Sequence, residues 1–526
     1  MIPIKSPGFA LAAVAAVVAT LAACGDGGSD SSMSAQQACD ALSGKTLGGA
    51  TVVAAASVAA SGPVPLYCKV NARIDPALNF EMRIPQSWNG KLHYAGGGGF
   101  NGYTRDVTDG EIPILDALKA GYINIVSDSG HIGHHPAGAV FDASWAIGDP
   151  QAEALYASGS VPLVMSSAVE LVRAAYGRAP TRSYFEGCSN GGREALMAAQ
   201  RNPNLFDGII ARAPAMDFVG TFAAFQRNLQ SIALTADSSG ATSLTQAKLD
   251  TLSNAVLAAC DAADGVTDGL VSRPSACTFN PATLRCPGGA NTGTSCLSDA
   301  ELGVMAAWTN PITVPGGYGT AGWPLTGNEA GAGGWPTWVT GPVQYLFADS
   351  GVKGLFARST STDPLFLYSY DFNAHPADVD RVGRTINATV PDLRPLRTSG
   401  AKMILWHGAA DPALSVSDTT AYYGKVVTAV GGQANADSFL RYYVAPGVYH
   451  CAGGPGADKA DLLATLDRWV SDGTAPSALT ASKFAADGST ELSRPLCVYP
   501  QYARYTGPAG DAAAARLATN YTCTAP

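Results

Sequence analysis

Short, almost wholly apolar runs recur along this chain, separated by stretches with a different rhythm. The runs are Lys91 to Ala95, Tyr122 to Ser127, Ser183 to Glu186, Gly208 to Ala211, Lys402 to Trp406 and Phe439 to Val444. Runs this short and this continuously apolar predict strands buried on both faces. Between them, apolar positions at helical spacing predict helices over Ile112 to Ala120, Val161 to Tyr176, Arg193 to Arg201 and Asp461 to Val470. In the third of these, Ala195, Leu196 and Ala199 share one face. Alternating strands and helices imply an α/β class with a parallel sheet. Residues 35–85 read as a small β-rich leading segment. From about Met216 to about Leu396 the alternation stops, and Gly, Thr, Pro and Trp dominate. This stretch reads as an insertion over the C-terminal edge of the sheet, where open α/β sheets bind ligands. Its aromatics, among them Phe222, Phe225, Trp308, Trp338 and Phe347, are expected to form mostly its own core, with a few lining a pocket.

Composition adds limits. The chain has 526 residues, 47% hydrophobic and 14% charged, with a net charge of −9 and no basic run. It is long enough for one large domain with an insertion or for two domains, and it lacks the basic footprint of a nucleic-acid binder. Residues 1–23 carry Lys5 and then an apolar run from Phe9 to Ala23, too short to span a membrane in the mature protein. The run ends Leu21-Ala22-Ala23-Cys24 and resembles a lipobox, in which Cys24 becomes a lipidated N-terminus; the alternative is an ordinary export signal cleaved nearby. Residues 24–38 are then a polar tether. A catalytic domain is expected over 39–215 and 397–526, with the insertion at 216–396 as its lid.

Of 11 cysteines, setting Cys24 aside leaves an even ten, which in an exported chain suggests disulfides. Spacing alone does not dictate connectivity. Pairing sequence neighbours gives Cys39–Cys68, Cys260–Cys277, Cys286–Cys296 and Cys497–Cys523, and leaves Cys188 with Cys451.

The chemistry centres on Gly187-Cys188-Ser189-Asn190-Gly191, set between a predicted strand and a predicted helix. A G-x-S-x-G turn in that context is the nucleophile elbow of α/β-hydrolases, and it predicts an α/β-hydrolase core sheet with a large inserted lid. The Asn190 N–H would face a developing oxyanion. A second oxyanion amide is expected from the turn Gly96-Gly97-Gly98-Gly99 after an early strand, with Gly98 taken as its centre and the donating glycine left open. A serine needs a histidine to take its proton and a carboxylate to orient that histidine. Ser189, Asp411 and His450 follow the chain order of this fold, each after a predicted strand. Among 7 histidines, His131, His134 and His135 precede the serine, His375 lies in the insertion, and His407 is too near Asp411. The group at 131–135 reads as a hydrogen-bonded loop rather than a metal site. His407 is either a pocket wall or a satisfied structural histidine. Since Ser189 and His450 must meet, their neighbours Cys188 and Cys451 come within disulfide reach.

A second motif runs from Asp261 to Leu270. Asp261, Asp264 and Asp268 with interspersed glycines form a compact oxygen cage suited to calcium, though not an EF-hand loop.

Cys188-Ser189, Asp411 and His450-Cys451 reproduce the CS-D-HC pattern of the tannase and feruloyl esterase family, and the chain resembles that family over nearly its whole mature length. The resemblance implies Ser189 as nucleophile, His450 as base and Asp411 as its orienter, along with the five-disulfide pattern. It implies a structural calcium held by the side chains of Asp261, Asp264 and Asp268 and the carbonyls of Val266 and Leu270. Over Lys402 to Tyr423, Gly447 to Pro455 and Pro495 to Tyr505, the chain is similar to the branch that hydrolyses the mono-hydroxyethyl ester of terephthalate. That branch has an aromatic residue at the position of Leu414 and Glu at the position of Asn190. It binds the free carboxylate with a lid arginine, a role Lys353 or Arg358 would take here. The expectation is a serine carboxylesterase acting on small aromatic esters, monomeric, exported, and either secreted or lipid-anchored. The competing readings are a non-catalytic surface lipoprotein that binds through the lid, or a peptidase or acyltransferase with the same triad.

Overall fold

The computed structural model describes residues 33–526. The export segment 1–23, Cys24 and most of the tether lie outside the described residues. The tether assigned to 24–38 overlaps a helix, Ala35–Leu42: the Ser34 hydroxyl accepts from Gln37 N while the Gln37 side chain accepts from Ser34 N. This reciprocal cap starts the helix inside the stretch that composition marks as linker.

The leading strands are β1 (Thr46–Leu47), β2 (Ala50–Val58), β3 (Tyr67–Ile74) and β4 (Leu78–Pro85), followed by β5 (Lys91–Ala95), β6 (Ile123–Ser127), β7 (Arg182–Ser189) and β8 (Gly208–Pro214). The insertion contributes only a short hairpin, β9 (Ile312–Val314) with β10 (Tyr318–Thr320), before β11 (Lys402–Gly408) and β12 (Leu440–Ala445) resume the pattern. The main sheet has ten strands in the order β1-β2-β3-β4-β6-β5-β7-β8-β11-β12. The pairs from β6 to β12 are parallel, and the leading strands add an antiparallel wing through β4 and β6. The leading segment is thus part of the main sheet and not a separate unit.

Consecutive strand residues reach opposite layers, which explains the continuous apolar runs. Phe185, Ile209, Leu405 and Tyr442 join the layer formed with helices Ser160–Tyr176, Asn190–Arg201 and Val416–Ala429. Their neighbours Tyr184, Ile210, Trp406 and Tyr443 join the layer formed with helix Leu462–Asp472. The helical run 150–176 is long and apolar enough to cross a membrane, yet it is mostly buried in this core. Residues 33–526 form one compact unit, within which the insertion has its own aromatic core around Phe222, Trp308, Trp335 and Phe356.

Candidate active site

β7 ends at Ser189, whose backbone sits at φ 62°, ψ −122° before helix Asn190–Arg201 begins. A left-handed φ is costly for a serine and marks a turn held by its surroundings. Glycine makes the turn feasible: a Cβ on Gly187 would lie 2.3 Å from the Gly191 carbonyl oxygen, and one on Gly191 would lie 2.6 Å from that of Gly97. The helix start therefore packs directly on the Gly-rich turn after β5, which brings that turn beside Ser189.

An accounting of backbone amides narrows the oxyanion donors. Gly96 N donates to Glu186 O, Phe100 N to Val140 O and Asn101 N to Gly98 O. Gly97 N donates to the Glu194 carboxylate at 3.0 Å. Among the described residues, the amides of Gly98 and Gly99 have no protein acceptor, and neither has that of Asn190. Gly99 lines the pocket with Asn190, whereas Gly98, the glycine singled out from sequence, backs onto Arg105. Glu194 ties the two halves of this site together. Besides Gly97 N it accepts from the side-chain Nδ2 groups of Asn101, at 2.7 Å, and Asn190, at 3.3 Å. Sequence reading passed over Glu194; its signal is a carboxylate four residues after Asn190 on an otherwise apolar helix face.

His450 and Asp411 lie in the loops after β12 and β11. The His450 Nδ1–H donates to Asp411 Oδ2 at 2.8 Å. Asp411 is anchored by the amides of Ala413, at 2.7 Å, and Leu414, at 2.9 Å. Burial disfavours its charge, but His450 and His407 together hold its carboxyl well below the usual range. For His450, burial lowers the pKa, yet the charge and hydrogen bond of Asp411 outweigh this and raise it above 6.5. Ser189 and His450 line the same pocket, without a hydrogen bond between them. A Cys188–Cys451 disulfide joins their chain neighbours across 263 residues. The other bridges are Cys39–Cys68, Cys260–Cys277, Cys286–Cys296 and Cys497–Cys523.

Other residues named from sequence fall elsewhere. His407 is fully buried, accepts from the Thr419 hydroxyl at 2.8 Å and donates to Leu414 O at 3.1 Å, so it supports the Asp411 loop from behind. Leu414 lines the pocket. Lys353 and Arg358 do not: Lys353 Nζ bonds Asp349 at 2.8 Å, and Arg358 pairs with Glu153. Each cation is held by a carboxylate of its own surroundings, which a spacing argument does not register. His131 donates to Phe100 O at 2.8 Å and stacks on Trp145, and burial pushes its pKa down to about 4, so it braces the Gly-rich turn as a neutral ring.

The pocket beside Ser189 is walled by Phe100, Phe218, Phe222, Phe225, Phe347 and Leu414, and its free volume is about 50 Å³. Trp338 and His450 also border a second, open cleft of about 640 Å³, lined by Gly331 to Gly333, Tyr449 and Glu111. Trp338 meets the His450 ring edge to face at 5.4 Å. Sequence could not single out Trp338 among the aromatics of the insertion.

In the loop 261–270, Asp261 and Asp264 are 2% and 3% exposed. Asp261 accepts from Gly269 N at 2.8 Å, Asp264 from the Ser272 hydroxyl at 2.5 Å, and Asp268 pairs with Arg494. One guanidinium faces three carboxylates, and the carbonyls of Val266 and Leu270 accept no hydrogen bond among the described residues. That donor set is all oxygen with an excess of negative charge, which suits a hard divalent cation. The three carboxylates do not converge on one point; among the described residues no group of His, Cys, Asp or Glu does.

The profile of the family described as tannase and feruloyl esterase matches residues 56–524. The mono(2-hydroxyethyl) terephthalate hydrolase of Piscinibacter sakaiensis is 33% identical, over 90% of this chain and 87% of that protein. Feruloyl esterase B of Aspergillus niger is 26% identical, over 88% of each. In fold, the crystal structure of feruloyl esterase B from Aspergillus oryzae superposes with a TM-score of 0.79 at 22% identity, covering 93% of this chain and 100% of that one. The tannin acyl hydrolase of Aspergillus niger superposes with a TM-score of 0.71 at 21% identity, covering 94% and 95%. A hydrolase-type sheet, an elbow serine and a family match over nearly the whole described chain lead to one conclusion: the chain belongs to the tannase and feruloyl esterase family of ester hydrolases.

Proposed function

We propose that this protein hydrolyses esters of small aromatic acids through an acyl-enzyme on Ser189. The observation that carries this is the meeting of Ser189 and the Asp411-bonded His450 at the wall of one aromatic pocket. His450 takes the Ser189 proton as the hydroxyl attacks the ester carbonyl. The amides of Asn190 and of Gly98 or Gly99 bind the resulting oxyanion. His450 then protonates the leaving alcohol into the open cleft and activates water for deacylation, while Asp411 stabilises the imidazolium. The aryl acyl group occupies the aromatic pocket, where flat rings bury large apolar area. The hydroxyl–imidazole bond forms as substrate enters, since such bonds are often loose in empty sites. As a test, the protein is mixed with excess p-nitrophenyl benzoate, and with a serine-directed phosphonate followed by peptide mass mapping. A nitrophenolate burst near one equivalent and a phosphonyl adduct on Ser189 are expected; an unlabelled Ser189 with no turnover would sink the reading.

The pH dependence follows from His450. It must be neutral to act as base, and its folded pKa lies above 6.5, so kcat/KM should fall as pH drops through a midpoint above 6.5. Stability runs the other way. Protonated His450 contributes stability that is fully present below 6.5 and is lost as pH rises through the folded pKa. Asp411→Asn should move the activity midpoint down, because burial then acts unopposed, and lower kcat by about 10⁴-fold. A midpoint unmoved by that change would remove Asp411 from its role. The readout is a pH–rate profile of both proteins.

We also propose that Asp261, Asp264 and Asp268, with the carbonyls of Val266 and Leu270, hold a structural calcium. The ion would neutralise carboxylates that burial leaves with only Arg494 opposite them. Chelation should lower the thermal midpoint by several degrees, with calcium restoring it and magnesium restoring it less. An unchanged melting curve in excess chelator would count against the ion. The five disulfides fit an oxidising compartment. Export with Cys24 lipidated, or secretion after cleavage nearby, is the localisation we infer.

A further inference from the structure

The pocket beside Ser189 has many aromatic walls and no lysine or arginine in its lining to offer a charged substituent. Its polar side chains are Ser189, Asn190, Thr221, His450 and the Trp338 indole. Ser189 and His450 are committed to the reaction. The Asn190 carboxamide is spent at both ends: its oxygen accepts from the Tyr156 hydroxyl at 3.0 Å and Arg193 Nε at 2.6 Å, and its nitrogen donates to Asn101 at 3.0 Å and Glu194 at 3.3 Å. The Thr221 hydroxyl donates to Asp217 O at 2.8 Å within its own helix. Trp338 stands at the mouth, where the pocket and the open cleft share it.

No cation reaches the pocket either. Arg193 is fully buried and donates to the carbonyls of Tyr156 and Ala157, each at 2.8 Å. Lys353 and Arg358 are held by Asp349 and Glu153. A carboxylate taken into this space would be desolvated without a cationic partner.

We propose that the acyl pocket selects against charge: it takes uncharged aryl groups, benzoyl and cinnamoyl among them, in preference to acyl groups bearing a second carboxylate. This rests on the esterase reading above and sharpens its substrate class. The relative that acts on a terephthalate mono-ester, 33% identical, would then differ from this chain in the charge its site tolerates.

The test uses matched methyl esters, so that the leaving alcohol never changes. Dimethyl terephthalate and monomethyl terephthalate differ at the far end of the ring by one charge. Initial rates of the purified protein, with Ser189→Ala as blank, are expected to give kcat/KM at least about 100-fold higher for the diester than for the mono-ester. The diester should stop cleanly at the mono-ester product. Equal or faster turnover of the mono-ester would overturn the inference while leaving the Ser189 chemistry intact. No turnover of any ester, together with an unlabelled Ser189, would overturn the esterase reading and this inference with it.

Discussion

Ser189→Ala is expected to reduce kcat on any accepted ester by about 10⁴-fold or more, with the melting temperature unchanged. The size follows from the role: without the hydroxyl no acyl-enzyme forms, and only oxyanion donors and binding remain to assist water. Stability should not change because the Ser189 side chain makes no hydrogen bond that would be lost, and alanine carries the same backbone strain at φ 62°. The product acid should still bind, because the aromatic walls are untouched. Initial rates, inhibitor binding and thermal melts on the same two preparations check all three. A variant that retained more than about a hundredth of the activity would show that another group is the nucleophile.

Removing the Cys188–Cys451 bridge by the double change Cys188→Ala, Cys451→Ala should lower stability by about 3–5 kcal/mol, near the upper end for a disulfide. It closes a loop of 263 residues, by far the longest of the five bridges; the others span 29, 17, 10 and 26. It should also cost kcat at temperatures where the protein is fully folded. Cys451 follows His450 at φ 64°, and Cys188 precedes Ser189, so the bridge holds two left-handed positions in register. Denaturant midpoints and kcat on folded protein separate the two effects. A stability loss with unchanged kcat would make the bridge a staple only, and an unchanged midpoint would deny it even that. Cys286→Ala with Cys296→Ala, which opens the shortest loop, is the control.

The parallel strands and their helices were legible from short apolar runs, because a strand buried on both faces leaves no polar position to break the pattern. β5, β6, β7, β8, β11 and β12 each fall within a few residues of the runs that announce them. The elbow was legible for a related reason: close backbone approach requires glycine at set spacings around Ser189. The leading strands were read as strands but not as part of the main sheet. Nothing local in residues 46–85 says that β4 pairs with β6, since that pairing joins Phe80 to Ser127 across a helix and a strand.

Elements that close over long sequence distances were the least readable. Asp411 and His450 could be named from chain order, and Cys188 with Cys451 from the need for two loops to meet. The insertion offered many candidate aromatics with no means of ranking them. Phe222 and Phe347 reach the pocket, while Trp308 and Trp335 pack against each other in its core. Charge showed the same limit. Lys353 and Arg358 carry the right sign for a carboxylate, but whether a cation is free depends on what folds beside it, and Asp349 and Glu153 do. Residue type and spacing specify which chemistry is available; contacts between distant segments specify which groups are left unpaired to perform it.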